Sequence, residues 1–155
     1  FDAVPNASQF KTGESVMTQE QAAGWLKFGA AFVVLFGLMM AAASVQSLAA
    51  PMAWMLDLVF FPLDGAQTMA DPVVRLLSAI CGGVMVGWGA MIWLLVTRLL
   101  PREPTLVRQL ILTGICAWFV VDSSGSVLSG GHWNVLGNLG FLLLFVVPAA
   151  QLRKQ

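Results

Sequence analysis

Charge is scarce in this sequence. Only 10% of its 155 residues are Asp, Glu, Lys or Arg, against about 25% in a soluble domain. Hydrophobic residues make up 58%, and mean hydropathy is +0.81. Too little polar surface exists to cover a globule in water, so lipid is the solvent for most of the chain. Basic and acidic side chains balance at eight each, and no basic stripe is interleaved with aromatics, which removes the electrostatic case for nucleic acid. Metal-binding residues are equally sparse. Cys81 and Cys116 sit in apolar runs, form no C-x-x-C pair and have no histidine near them, so they read as packing residues. His132 is the only histidine, and a metal site wants several ligands. The even spacing of Asp57, Asp64 and Asp71 matches no compact calcium loop, and these carboxylates read as solvated loop charges. No metal and no cofactor is expected.

What the chain does have is length in apolar runs. Crossing a hydrocarbon core takes about 20 helical residues. Four stretches qualify: Ala22–Ala50, Val73–Leu100, Thr105–Ser129 and His132–Leu152. Pro101 to Pro104 breaks the second from the third, and Gly130-Gly131 breaks the third from the fourth. Such short links make the helices antiparallel neighbours. The predicted fold is therefore an all-α integral membrane protein, an antiparallel four-transmembrane-helix bundle forming one domain over residues 17–155. Residues 1–16 are mixed and mostly polar, and Met17 reads as a natural start. They are expected to be an upstream extension or expression remnant outside the fold.

Orientation follows from the basic residues flanking the spans. Arg98, Arg102 and Arg108 bracket the second loop, Arg153 and Lys154 close the C-terminus, and Lys27 lies near the start of the first helix. The first loop instead carries the three aspartates. Both termini and the second loop are predicted to be cytoplasmic, in the inner membrane, with Arg75 the exception. Within the first loop, Met52, Met55, Leu56, Val59 and Phe60 form a helical stripe too short to span, ended by Pro62. It reads as an interfacial helix with Trp54 at headgroup depth. Asp71-Pro72 reads as an N-cap followed by a first-turn proline.

Depth can be estimated from the helical rise. With Gly130-Gly131 as the outer loop, Asp122 lies about 12 Å down the third helix and Asn138 about 10 Å down the fourth. Ser78 lies about 9 Å down the second helix and Gln46 about 6–8 Å below the end of the first. Arg75 and His132 fall nearer the surface. Asp122 with Ser126, and Asn134 with Asn138, are i,i+4 pairs on single helical faces. Polar groups thus gather in the outer half, while the inner half is nearly pure hydrocarbon. A charge at this depth costs several kcal/mol unless paired. Arg75 is one candidate partner for Asp122. The alternative is that Arg75 snorkels to lipid phosphate while Asp122 bonds only to hydroxyls and amides as interhelical glue. The candidate ligand-binding set is Asp122, Asn138, Asn134, Ser126, Arg75, Gln46, Ser78 and His132. Under the Trp- and Phe-containing first loop, these groups are expected to floor an outward-opening cavity.

Gly83-x-x-x-Gly87 gives the second helix a smooth face, suited either to a homo-oligomer or membrane-protein partner or to close packing within one bundle. The C-x-x-C pair of vitamin K epoxide reductase-like proteins is absent, and the first helix lacks the glutamate of small multidrug-resistance transporters. Three function classes remain, in order of preference. The first is a non-catalytic membrane protein, either an accessory subunit or a binder of a small or lipophilic ligand. The second is a proton-coupled or lipophilic-solute transporter using Asp122, and the third is an enzyme using Asp122 and His132 as acid and base. No activated nucleophile, metal set or cofactor motif supports the enzyme, and no polar inner pathway supports the transporter.

Overall fold

The computed structural model describes residues 17–152. The 1–16 extension and the terminal Arg153 and Lys154 lie outside the described residues. Regular structure within them is entirely helical: α1 (Gln19–Ala42), a 3-10 turn (Gln46–Leu48), α2 (Ala50–Val59), α3 (Pro72–Leu94) continuing as a π-helical turn (Leu95–Leu99), α4 (Pro104–Leu128) and α5 (Asn134–Gln151). Four of these, with α3 and its π turn taken as one, are long and apolar enough to cross a membrane.

Local chemistry explains the helix starts. Thr18 accepts the Gln21 backbone N–H at 3.2 Å while the Gln21 side chain accepts the Thr18 N–H at 2.9 Å, a reciprocal capping box opening α1. Asp71 accepts the Val73 N–H at 2.7 Å and Pro72 begins α3, as the Asp-Pro pair predicts. The first span differs from expectation at its far end, stopping at Ala42 rather than Ala50. Pro51 lacks the N–H that would continue the ladder and instead serves in the first turn of α2, so the chain must turn before it. Gln46 consequently lies beyond the first span, in the exposed 3-10 turn.

α1 is the central helix, packing on α3 along one side and on α5 along another, while α4 packs on α5. Its buried residues Ala22, Leu26, Gly29, Ala30, Val33 and Gly37 fall at helical spacing on one face. Gly37 meets Gly82 and Ala30 meets Gly89 of α3, while Gly29 lies against Phe145 of α5. The α1 and α3 backbones nearly touch: a Cβ on Gly37 would fall 2.6 Å from the Gly82 carbonyl, and one on Gly89 would fall 2.8 Å from that of Ala30. Close approach is therefore made by Gly82 and Gly89. A Cβ on Gly83 or Gly87 would meet nothing within 4 Å. The Gly83/Gly87 face is open.

Despite their short link, α3 and α4 approach closely chiefly at the π-helical end of the second span. Higher up, large side chains bridge the gap. The rings of Trp88 and Trp118 lie 6.0 Å apart, Trp118 and Phe141 5.3 Å, and Phe141 and Phe145 5.7 Å. Between these rings and the arginine-bearing loop, α3 and α4 line an apolar cleft of about 160 Å³.

Candidate functional site

The polar residues of the half nearest the first loop resolve into two separate hydrogen-bonded groups. The first lies at the α1–α3 end. Arg75 donates through Nη1 to the Gln46 side chain and to the carbonyls of Met69, at 2.9 Å, and Ala70, at 2.7 Å. One guanidinium thereby ties the 3-10 turn to the segment leading into α3. Ser78, buried, donates to the Met40 carbonyl at 2.9 Å across the close α1–α3 contact. Arg75 neither pairs with Asp122 nor serves only to reach lipid phosphate: its bonds go to the first loop.

The second group joins α4 to α5. Asp122 Oδ1 accepts three hydrogen bonds, from Asn138 Nδ2 at 2.7 Å, Asn134 Nδ2 at 2.9 Å and Ser126 Oγ at 3.3 Å. The amides use their second protons as well. Asn134 donates to Ser126 Oγ at 2.8 Å and Asn138 to Ser123 Oγ at 3.2 Å. Asn138 is buried, and Asp122, Ser123, Ser126 and Asn134 are half-buried. The i,i+4 pairings place these groups on facing helical sides, which is why one carboxylate oxygen can gather donors from both helices. No buried side-chain nitrogen or oxygen among the described residues lacks a partner. Chemically, this is a hydrogen-bond cluster organised around one carboxylate oxygen, Oδ1 of Asp122.

His132 stands apart from this cluster. Its Nδ1 lies 2.8 Å from the Gly130 carbonyl in an exposed turn, so that nitrogen carries the proton. Gly130 there has φ of +87°, a left-handed conformation that a side chain would strain. Histidine and aspartate are thus not arranged as an acid–base pair. No group of three or more potential metal ligands occurs among the described residues.

Two residues escaped the reading of the sequence. Asp57, expected to be solvated, is buried at 6% exposure, and both its carboxylate oxygens lie 3.1 Å from the Gly65 backbone nitrogen. It closes the first loop by holding the Asp64-Gly65 turn against α2. The available signal was its place one turn after Ala53, which also packs towards the protein. Ser123, the other, was one of three neighbouring serines with nothing to single it out. At this end of the helices, Val59 of α2 sits beside Gly131, where an added Cβ would fall 2.9 Å from it, and Phe61 and Trp133 rings lie 5.5 Å apart. The first loop therefore rests on the turn between α4 and α5.

No protein-family model, curated protein or solved structure matches the chain.

Proposed function

We propose that this is a non-catalytic multi-pass protein of the cytoplasmic (inner) membrane that acts as an accessory subunit for another membrane protein or for a second copy of itself. In this reading the four spans form an antiparallel bundle with both termini cytoplasmic, and α2 lies along the outer interface. The observation that carries it is the saturation of Asp122 Oδ1 by three donors from α4 and α5. Asp122 used in this way is interhelical glue. Transport or acid–base chemistry would instead need a polar path leading to this carboxylate, and His132 is engaged elsewhere.

The partner surface is the uncovered side of α3. Gly83 and Gly87 lie exposed on it with open space above both, so a partner helix can approach its backbone closely. Trp54, at 62% exposure on α2, and the buried Met52 on the opposite side agree with a helix lying at an interface.

Purification from native membranes in mild detergent tests the proposal. The protein should be recovered with a partner or second copy at fixed stoichiometry, and Gly83→Leu/Gly87→Leu should release it without changing its melting temperature. A monomer in both forms, together with substrate-dependent proton flux in proteoliposomes, would favour the transporter instead.

A further inference from the structure

The cleft between α3 and α4 stands apart from the polar groups, and its α3 lining residues Met91 and Leu95 continue, at i,i+4 spacing, the stripe of Gly83 and Gly87. Its floor is buried hydrocarbon: Ile92, Ile111, Ile115 and Phe145. Its rim, formed by Met91, Leu110 and Gly114, is exposed, so it opens sideways between the two helices. At about 160 Å³ it matches the size of an apolar cavity, about 150 Å³, that accepts a benzene-sized molecule and stays dry. That is room for a short stretch of acyl chain.

Charge marks one end of this cleft. Arg98 follows the lining residue Leu95 by three positions, and Arg108 precedes the lining residue Ile111 by three, so each lies about 4.5 Å further along its helix. Arg102 lies in the loop between them, and all three are exposed. Glu103 is the one acidic residue in that loop, which leaves a net charge of +2 across Arg98–Arg108 (three arginines less one glutamate). The π turn Leu95–Leu99, in which the Leu100 N–H bonds the Leu95 carbonyl at 2.9 Å, resets the end of the second span beside the cleft. Glu103 makes no side-chain cap on α4, so its first N–H groups also face this end.

We infer that the α3–α4 cleft and its arginine mouth form a binding site for one anionic phospholipid, with an acyl chain against Ile92, Ile111 and Phe145 and the headgroup phosphate on Arg98, Arg102 and Arg108. Neither half suffices alone. An apolar recess would take any lipid chain, and exposed arginines would attract any anion. Together they select a molecule with a hydrocarbon tail and a single negative group one helical turn beyond it.

The test uses the full chain in nanodiscs of equimolar phosphatidylglycerol and phosphatidylcholine, released and weighed by native mass spectrometry. Wild type should retain one phosphatidylglycerol per chain in preference to phosphatidylcholine. A Cβ at Gly114 meets nothing within 4 Å, so Gly114→Phe should fill the cleft and abolish retention, while Gly140→Phe, on an equally open surface of α5, should not. Arg98→Gln/Arg108→Gln lies outside the packed interior and reports even if Gly114→Phe misfolds: the lipid preference should fall about fivefold per arginine. Equal retention of the two lipids by wild type overturns the site. So does unchanged retention in a folded Gly114→Phe, or a wild-type dimer that this substitution disrupts, which would make the cleft a contact between copies.

Discussion

Asp122 ties α4 to α5 through a single oxygen. Removing that acceptor strands two amides and a hydroxyl, two of the donors reaching across from α5. Each interhelical bond in a membrane contributes about 0.6 kcal/mol, so Asp122→Ala should destabilise the protein by about 1–2 kcal/mol once the unpaired donors are included. Arg75 belongs to a different network that shares no member with this one. Combining Arg75→Gln with Asp122→Asn should therefore give effects that add within about 0.5 kcal/mol in a double-mutant cycle. A larger coupling would mean that the two groups meet. The residue types and their i,i+4 spacings made the α4–α5 cluster legible in the sequence. The membership of Arg75 was not, because similar depth on four helices says nothing about which helices are neighbours. Only the α3–α1–α5–α4 order of packing separates the two groups.

Among the elements, the α1–α3 pair shows which face of a small-residue pattern makes the contact within the chain. Gly82 and Gly83 are adjacent in sequence but about 100° apart around the helix, and only Gly82 faces α1. An added Cβ there would collide with the Gly37 carbonyl and with the Ala41 nitrogen at 2.6 Å. Gly82→Ala should cost about 1–3 kcal/mol by overpacking, whereas Gly83→Ala should stay within about 0.5 kcal/mol of wild type. Thermal unfolding in detergent distinguishes them, and equal losses would show that both faces are covered. Glycine spacing alone could not make this distinction, because Gly83-x-x-x-Gly87 is the tighter repeat while Gly82 and Gly89, seven apart, share the stripe of Ser78 and Ile92. The spans themselves were legible within a few residues at most ends, since Pro101, Pro104 and Gly130-Gly131 punctuate them. The end of α1 was missed because hydrophobicity runs on through Val45, Leu48 and Ala49 after the helix has turned.

At the scale of the whole molecule, the two grouped polar networks, the loop resting on the α4–α5 turn and the arginine-marked cleft acquire meaning only from their places across a bilayer. Phe61 lies against Trp133, so the first and third loops share one end of the molecule, and the second loop with Arg98, Arg102 and Arg108 lies at the other end of the same helices. The proposed topology, resting on the arginines, puts that second end in the cytoplasm. Single cysteines at Ala66 and Glu103, both exposed, test this arrangement in a background where Cys81 and Cys116 are replaced by alanine. In intact cells, a membrane-impermeant thiol reagent should label Ala66→Cys and leave Glu103→Cys unmodified until the membrane is opened. Labelling of both from outside, or of Glu103→Cys alone, would contradict four spans with a cytoplasmic arginine loop.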